Sequence, residues 1–185
     1  MAMHDILPLF LEDPMTSLAS QAKALGIPET DIQRICMETD CRLRLVFPAE
    51  TRQLELIRRL ARNTTEKTPG LDSDAAYDIA LALDEACTNV ISHAYGTHDP
   101  SALIEAEIRI SSKDVTIILT DHGVHGHSFH PDKLPPPDIK ALYTNPKPGG
   151  LGFHLIKKIM DELSYEKGPD NANRLTMKRY LSRSG

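Results

Sequence analysis

Leu83-Asp84-Glu85-Ala86-Cys87-Thr88-Asn89-Val90-Ile91-Ser92-His93-Ala94-Tyr95 is the stretch on which the fold turns. With the residues before it, it reads as one long helix over about 73–95. Ala76, Ile79, Ala80, Leu83, Cys87, Val90, Ile91 and Ala94 recur at i, i+3, i+4 and i+7 and form an apolar stripe. Steps of ~100° per residue place Glu85, Asn89, Ser92 and His93 together on the other face. One side of this helix is built for burial and the other is chemically equipped. Thr68-Pro69-Gly70 forms a turn before it, and Asp72 or Ser73 supplies the N-cap.

Upstream, Arg42–Phe47 alternates, with Leu43, Leu45 and Phe47 on one side, so it reads as a strand that Pro48 ends. Ala49–Thr65 carries Leu54, Ile57, Leu60 and Ala61 at helical spacing, with Arg52, Arg58, Arg59 and Arg62 outward. Downstream, Leu103–Ser111 and Val115–Thr120 alternate around a short connection and predict an antiparallel hairpin. Residues 121–149 are rich in Gly, Pro and His without periodicity, and so long a stretch inside a domain is usually functional. A helix is predicted over Gly150–Leu163, then a hairpin of Tyr165–Lys167 and Arg174–Leu181 around Gly168–Ala172.

The order β-α-α-β-β-loop-α-β-β predicts an α+β fold. It is a two-layer sandwich whose mixed, mostly antiparallel sheet is covered on one face by helices. Residues 41–185 form this domain. Residues 1–40 read as an N-terminal extension, a docking or dimer arm, with short helices over Thr16–Leu25 and from Pro28. Leu7, Leu9, Phe10, Leu11, Ile32, Ile35 and Met37 give it apolar surface to bury.

Composition limits the partners. The 185 residues carry 26 Asp and Glu against 21 Lys and Arg, a formal net charge of −5. Such a chain lacks a broad phosphate-neutralising surface, so direct nucleic-acid binding is not expected. Aromatic residues are 5% with no Trp, which argues against base-stacking platforms. No apolar run approaches the roughly 20 residues of a membrane helix. The N-terminus lacks a basic signal region, and three cysteines without a CxxC pair do not suggest a secreted disulfide framework. A cytoplasmic location is expected.

Three pieces carry chemistry. Glu85 and Asn89, four apart on one helix face, direct a carboxylate and an amide carbonyl at one spot. That donor set suits a hard cation such as Mg²⁺, although such a pair alone is more often an ordinary solvated face. Thr120-Asp121-His122-Gly123 ends a strand. A buried aspartate there can accept from an exocyclic amine while the glycine admits a base, and alone it is also a plain turn. Gly149-Gly150-Leu151-Gly152 precedes a helix whose free N–H groups and dipole suit phosphate; no Walker A lysine follows.

Together, in this order, these pieces resemble the GHKL (Bergerat) ATP-binding fold. Leu43–Leu181, about three quarters of the chain, resembles the anti-sigma factor serine/threonine kinases. The matching words are Leu83–Tyr95, Thr120–Gly123 and Gly149–Ile156, with Leu142-Tyr143-Thr144, Met160-Asp161 and Leu175–Lys178 also fitting. The resemblance implies ATP and Mg²⁺ as cofactors, with Asn89 on the metal and Glu85 activating the attacking hydroxyl. It implies that Asp121 receives the adenine amine beside Gly123 and that Gly150 and Gly152 contact phosphates. The loop up to Lys147 becomes a lid. His93 and Leu151 count among the nucleotide-binding positions, and Asn173 falls near a threonine that supports the aspartate in the family. Arg58 matches an arginine that contacts protein partners. The implied partners are a sigma factor and an anti-anti-sigma (STAS) protein, and the implied assembly is a homodimer.

The chain departs from that pattern at two places. The family's Asp-x-Gly-x-Gly reads Asp121-His122-Gly123-Val124-His125 here, and Pro148 stands where a basic residue is usual, with Lys147 beside it. His125 motivates a rival reading, a catalytically weak ATP-binding adaptor that sequesters a partner. The cluster of His122, His125, His127 and His130 motivates another, a metal-responsive binding module.

Overall fold

The computed structural model describes residues 32–36, 41–66, 68, 70–93, 95, 101–123 and 152–181. The strands are β1 (Ile32–Cys36), β2 (Cys41–Pro48), β3 (Leu103–Ile110), β4 (Asp114–Asp121), β5 (Glu162–Lys167) and β6 (Asn173–Tyr180). The helices are α1 (Leu54–Thr65), entered through a 3₁₀ turn at Thr51–Gln53, α2 (Ser73–His93) and α3 (Gly152–Ile159). The strands form one sheet in the order β1-β2-β3-β4-β6-β5. Every pairing is antiparallel, so the parallel component implied by a mixed sheet is absent among the described residues.

Alternation decides which face is covered. Leu43, Leu45 and Phe47 of β2, Ile104, Ala106 and Ile108 of β3, and Val115, Ile117 and Leu119 of β4 are all buried. They meet Ile57, Leu60 and Ala61 of α1, Ile79, Leu83 and Cys87 of α2, and Phe153 and Ile156 of α3 in one core. The apolar stripe of α2 is therefore its core face, as its spacing predicts. Asp72 is the cap, its Oδ1 accepting from the Ala75 N–H at 2.7 Å. The turn before it closes with Leu71 N–H on the Thr68 carbonyl, and Gly70 takes φ 86°, a conformation that glycine adopts without strain.

Three boundaries differ from expectation. β1 lies inside the segment read as an N-terminal extension and pairs along its length with β2, so the sheet runs past residue 40. From Ile32 the chain is a strand rather than the continuation of a helix opened at Pro28. Five residues set no period of their own, and the ladder to β2 supplies their backbone partners. The last helix stops at Ile159 rather than Leu163. The Arg179 guanidinium donates to the Ile159 carbonyl at 2.5 Å, and Asp161 N–H reaches the Lys178 carbonyl at 2.8 Å. Leu163 then belongs to β5, in register with Met177. Cys41 is disulfide-bonded, so the cysteines are not all free; Cys36 stands opposite it in the β1–β2 register, while Cys87 is free and buried.

The other sheet face carries charge pairs across β2 and β3. Arg44 grips Glu105 with two bonds of 2.6 Å. Arg42 and Arg109 stand directly opposite each other, and buried Glu107 bonds to both, which offsets their repulsion. Burial alone would raise the Glu107 carboxyl; hydrogen bonds and charge from Arg109 and Arg42 outweigh it and hold the group below its ordinary range. The stabilisation is then fully present above the unfolded carboxyl's pKa of about 4.3. It is lost as pH falls through the lower, folded value. Thermal denaturation across pH 3–6 should show wild type losing stability more steeply than Glu107→Gln on the acid side. Parallel curves would rule out this role.

Candidate functional site

The site lies where α2, the start of α3 and the end of β4 converge. Glu85 and Asn89 are both half-buried on the α2 face turned from the core, and Ser92 one turn on is exposed. α3 begins at Gly152 beside Glu85. A Cβ at that position would overlap Glu85 Oε2 and lie 3.3 Å from its Cδ. The glycine is therefore a matter of space as well as of backbone access: the carboxylate rests against the first residue of α3. The positive end of a helix dipole favours such an anion. Gly152→Ala should displace that carboxylate at little cost in stability, because Oε2 is the free end of a flexible side chain. A crystal structure of the variant checks this, and a Glu85 side chain left in place would show that the space is not needed.

At the sheet end, Asp121 is 5% exposed. β4 and β6 are in register here, with Asp121 opposite Asn173. Asp121 Oδ1 accepts from the Gly123 N–H and from Asn173 Nδ2, both at 2.8 Å. Asn173 Nδ2 spends its second proton on the Gly123 carbonyl at 3.0 Å. One carboxylate oxygen is thereby saturated, and Oδ2 takes no donor among the described residues. Asn173 Oδ1 is buried with no hydrogen-bond partner among the described residues. The knot leaves two acceptors beside a glycine and fixes their direction.

Sequence reading missed two neighbours. Tyr165 on β5 lies close enough that burial, and then the charge of Asp121, push its phenol above its ordinary value. Asp84, next to Glu85, accepts from Arg58 Nη2 at 3.0 Å through Oδ2, while its Oδ1 is buried without a partner among the described residues. Arg58 is thus exposed on α1 yet tied to α2. Burial, and then Asp84, raise the Cys87 thiol far above its usual range, which makes it a small apolar group and not a nucleophile. No local spacing connects Arg58 with Asp84, which are 26 residues apart.

The structure brings together Glu85, Asn89 and Gly152 on one side and Asp121, Gly123 and Asn173 on the other. Lys147, Gly150, Leu151, His125, His127, His130 and the His93 side chain lie outside the described residues. Among the described residues no group of three or more His, Cys, Asp or Glu forms a metal site. The Asn89 amide oxygen still fits Mg²⁺, which keeps most of its shell as water and phosphate, and leaves the Glu85 carboxylate free beside it. The orphaned acceptors at Asp121 and Asn173 fit a purine amine.

An α+β sandwich with such a site, between a polar helix face and the end of a central strand, has the features of an ATP-binding domain. The family described as histidine kinase-like ATPase domain matches residues 47–179. The serine-protein kinase RsbW of Halalkalibacterium halodurans is 30% identical over 145 residues, covering 76% of this chain and 84% of that protein. The anti-sigma F factor of Clostridium novyi is 33% identical over 108 residues, 56% of this chain and 70% of that protein. The serine/threonine-protein kinase BtrW of Bordetella bronchiseptica is 30% identical over 101 residues, 55% and 68% of the two chains. The chain belongs to the histidine kinase-like ATPases, and within them to the anti-sigma factor serine/threonine kinase family.

Proposed function

We propose that this protein is a Mg·ATP-dependent protein serine/threonine kinase that acts as an anti-sigma regulatory factor. It would hold a sigma factor and phosphorylate a serine or threonine of an anti-anti-sigma (STAS-type) partner. The observation that carries this reading is the knot of Asp121, Gly123 and Asn173, which saturates one carboxylate oxygen and leaves acceptors suited to an adenine amine. A guanine, with a carbonyl at the same position, would face those acceptors without a donor.

Bound Mg·ATP would supply the phosphoryl group and neutralise its charge. In this reading Asp121 and Gly123 orient the base and Asn173 orients Asp121. Asn89 would hold the metal, and the N–H groups at the start of α3 would meet phosphate oxygens. Glu85, beside them, would take the proton of the attacking hydroxyl. The protein's contribution is positioning and electrostatics, as is general for phosphoryl transfer. Arg58, exposed on α1 and braced by Asp84, would meet the protein partner. The homodimer, the cytoplasmic location and a dimer-arm role for the residues ahead of β1 belong to the same proposal. No described helix is long and apolar enough to cross a membrane.

The test has two stages. Mg·ATP at about 100 times its dissociation constant should stabilise the fold by about 2.7 kcal/mol, a clear thermal shift. Radiolabel should then pass from ATP to a purified STAS domain. Absence of the shift overturns the ATP reading. Zinc stabilisation without a nucleotide effect would favour the metal-responsive module. A shift without transfer would favour the adaptor that His125 suggests.

A further inference from the structure

The turn at Asp121–Gly123 is held from its other side by a residue that belongs to neither strand. In the β3–β4 ladder Ile104 is opposite Asp121, so the next rung would join Leu103 and His122. The Ala102 carbonyl accepts from Ala49 N–H on the β2 side, and successive carbonyls of a strand point to opposite sides, so that of Leu103 faces β4. At that position stands the hydroxyl of Tyr95. It accepts from the His122 N–H at 2.9 Å and donates to the Leu103 carbonyl at 3.1 Å. A side-chain oxygen thus takes the place of a backbone rung, ends the ladder and parts the chains one residue before Gly123.

Tyr95 follows α2 by two residues, and α2 carries Glu85 and Asn89. Its hydroxyl therefore ties the end of the helix with the metal and proton-accepting residues to the turn with the base-binding residues, 27 positions along the chain. Without the oxygen, His122 N–H and Leu103 C=O are free to close on each other or turn to water. Either way Gly123 shifts, and with it the two bonds that fix Asp121 Oδ1. From this geometry we infer that Tyr95 is a positioning residue for the nucleotide-binding turn. It acts through the backbone of His122 and touches neither substrate nor the reacting atoms. The inference rests on the ATP reading proposed above.

The experiment compares full-length wild type, Tyr95→Phe and Tyr95→Trp in KM for ATP, kcat and Tm. Phe removes both bonds. Trp can still donate to Leu103 but cannot accept from His122. Both should raise KM for ATP about tenfold, the equivalent of one hydrogen bond of 1.4 kcal/mol. kcat should stay within about twofold, because Glu85 keeps its place on α2. Tm should fall by about 2–4 °C in Tyr95→Trp, which loses one such bond, and by up to about twice that in Tyr95→Phe, which loses two. A KM unchanged in both variants, even with a lower Tm, overturns the inference, since the bond is then only structural. A fall in kcat with KM unchanged also overturns it. Wild type that binds no Mg·ATP defeats the ATP reading itself, and this inference with it.

Discussion

Glu85→Ala is expected to keep Mg·ATP binding and to lose phosphate transfer by about 10²–10⁴-fold, the range for removing a positioned general base. The carboxylate lies against Gly152 at the start of α3, away from the knot at the end of β4. Its loss should leave the base-binding contacts intact. Asn89→Ala, one turn along the same face, should do the opposite and abolish Mg·ATP binding, because the amide oxygen is the remaining hard donor there. Calorimetric titration for binding and radiolabel transfer for activity separate the two outcomes. Equal transfer by Glu85→Ala would defeat the role assigned to that carboxylate. Retained binding in Asn89→Ala would defeat the metal role of the amide.

Asp121→Asn is expected to weaken ATP binding about 100-fold while the fold stays intact, from losing a charged acceptor and leaving a donor facing a donor. The amide oxygen of an asparagine can still accept from Gly123 N–H and Asn173 Nδ2, so the turn keeps its frame. The other position becomes an NH₂ group directed at the purine amine. GTP, which presents a carbonyl there, should lose less than ATP, so the preference between the two narrows. Binding titrations with both nucleotides check this. An unchanged ATP affinity would show that the base does not sit at Asp121.

Much of the geometry of the candidate site is legible in the sequence. The α2 stripe needs only helical periodicity, and Glu85 and Asn89 share a face by spacing alone. Asp121 could be placed at a strand end because Val115, Ile117 and Leu119 alternate up to it. Asn173 could not be assigned the same way. It reads as one polar residue at the start of a strand, and only the β4–β6 register sets it opposite an aspartate 52 residues earlier. Tyr95 reads as the tail of a helix, because its partners are backbone atoms and no side-chain pattern encodes them. α3 reads too long for a related reason. Met160 and Leu163 continue its apolar spacing, and helix period cannot show that β6 offers the next backbone partners.

The sequence by itself determined the α+β class and the covered sheet face, which follow from periodicity, and the order of the motifs that carry the family resemblance. Only the tertiary structure decided that the sheet is wholly antiparallel and begins at Ile32 among the described residues. It also decided that Gly152 makes room for Glu85, that the Asn173 amide bonds both Asp121 and Gly123, and that Asp84 braces Arg58. The reason is physical. Side chains facing a core leave a repeating trace in the sequence, because burial acts on every turn or every second residue. Single hydrogen bonds between distant elements leave none, because they depend on strand register and helix placement that the whole fold settles together.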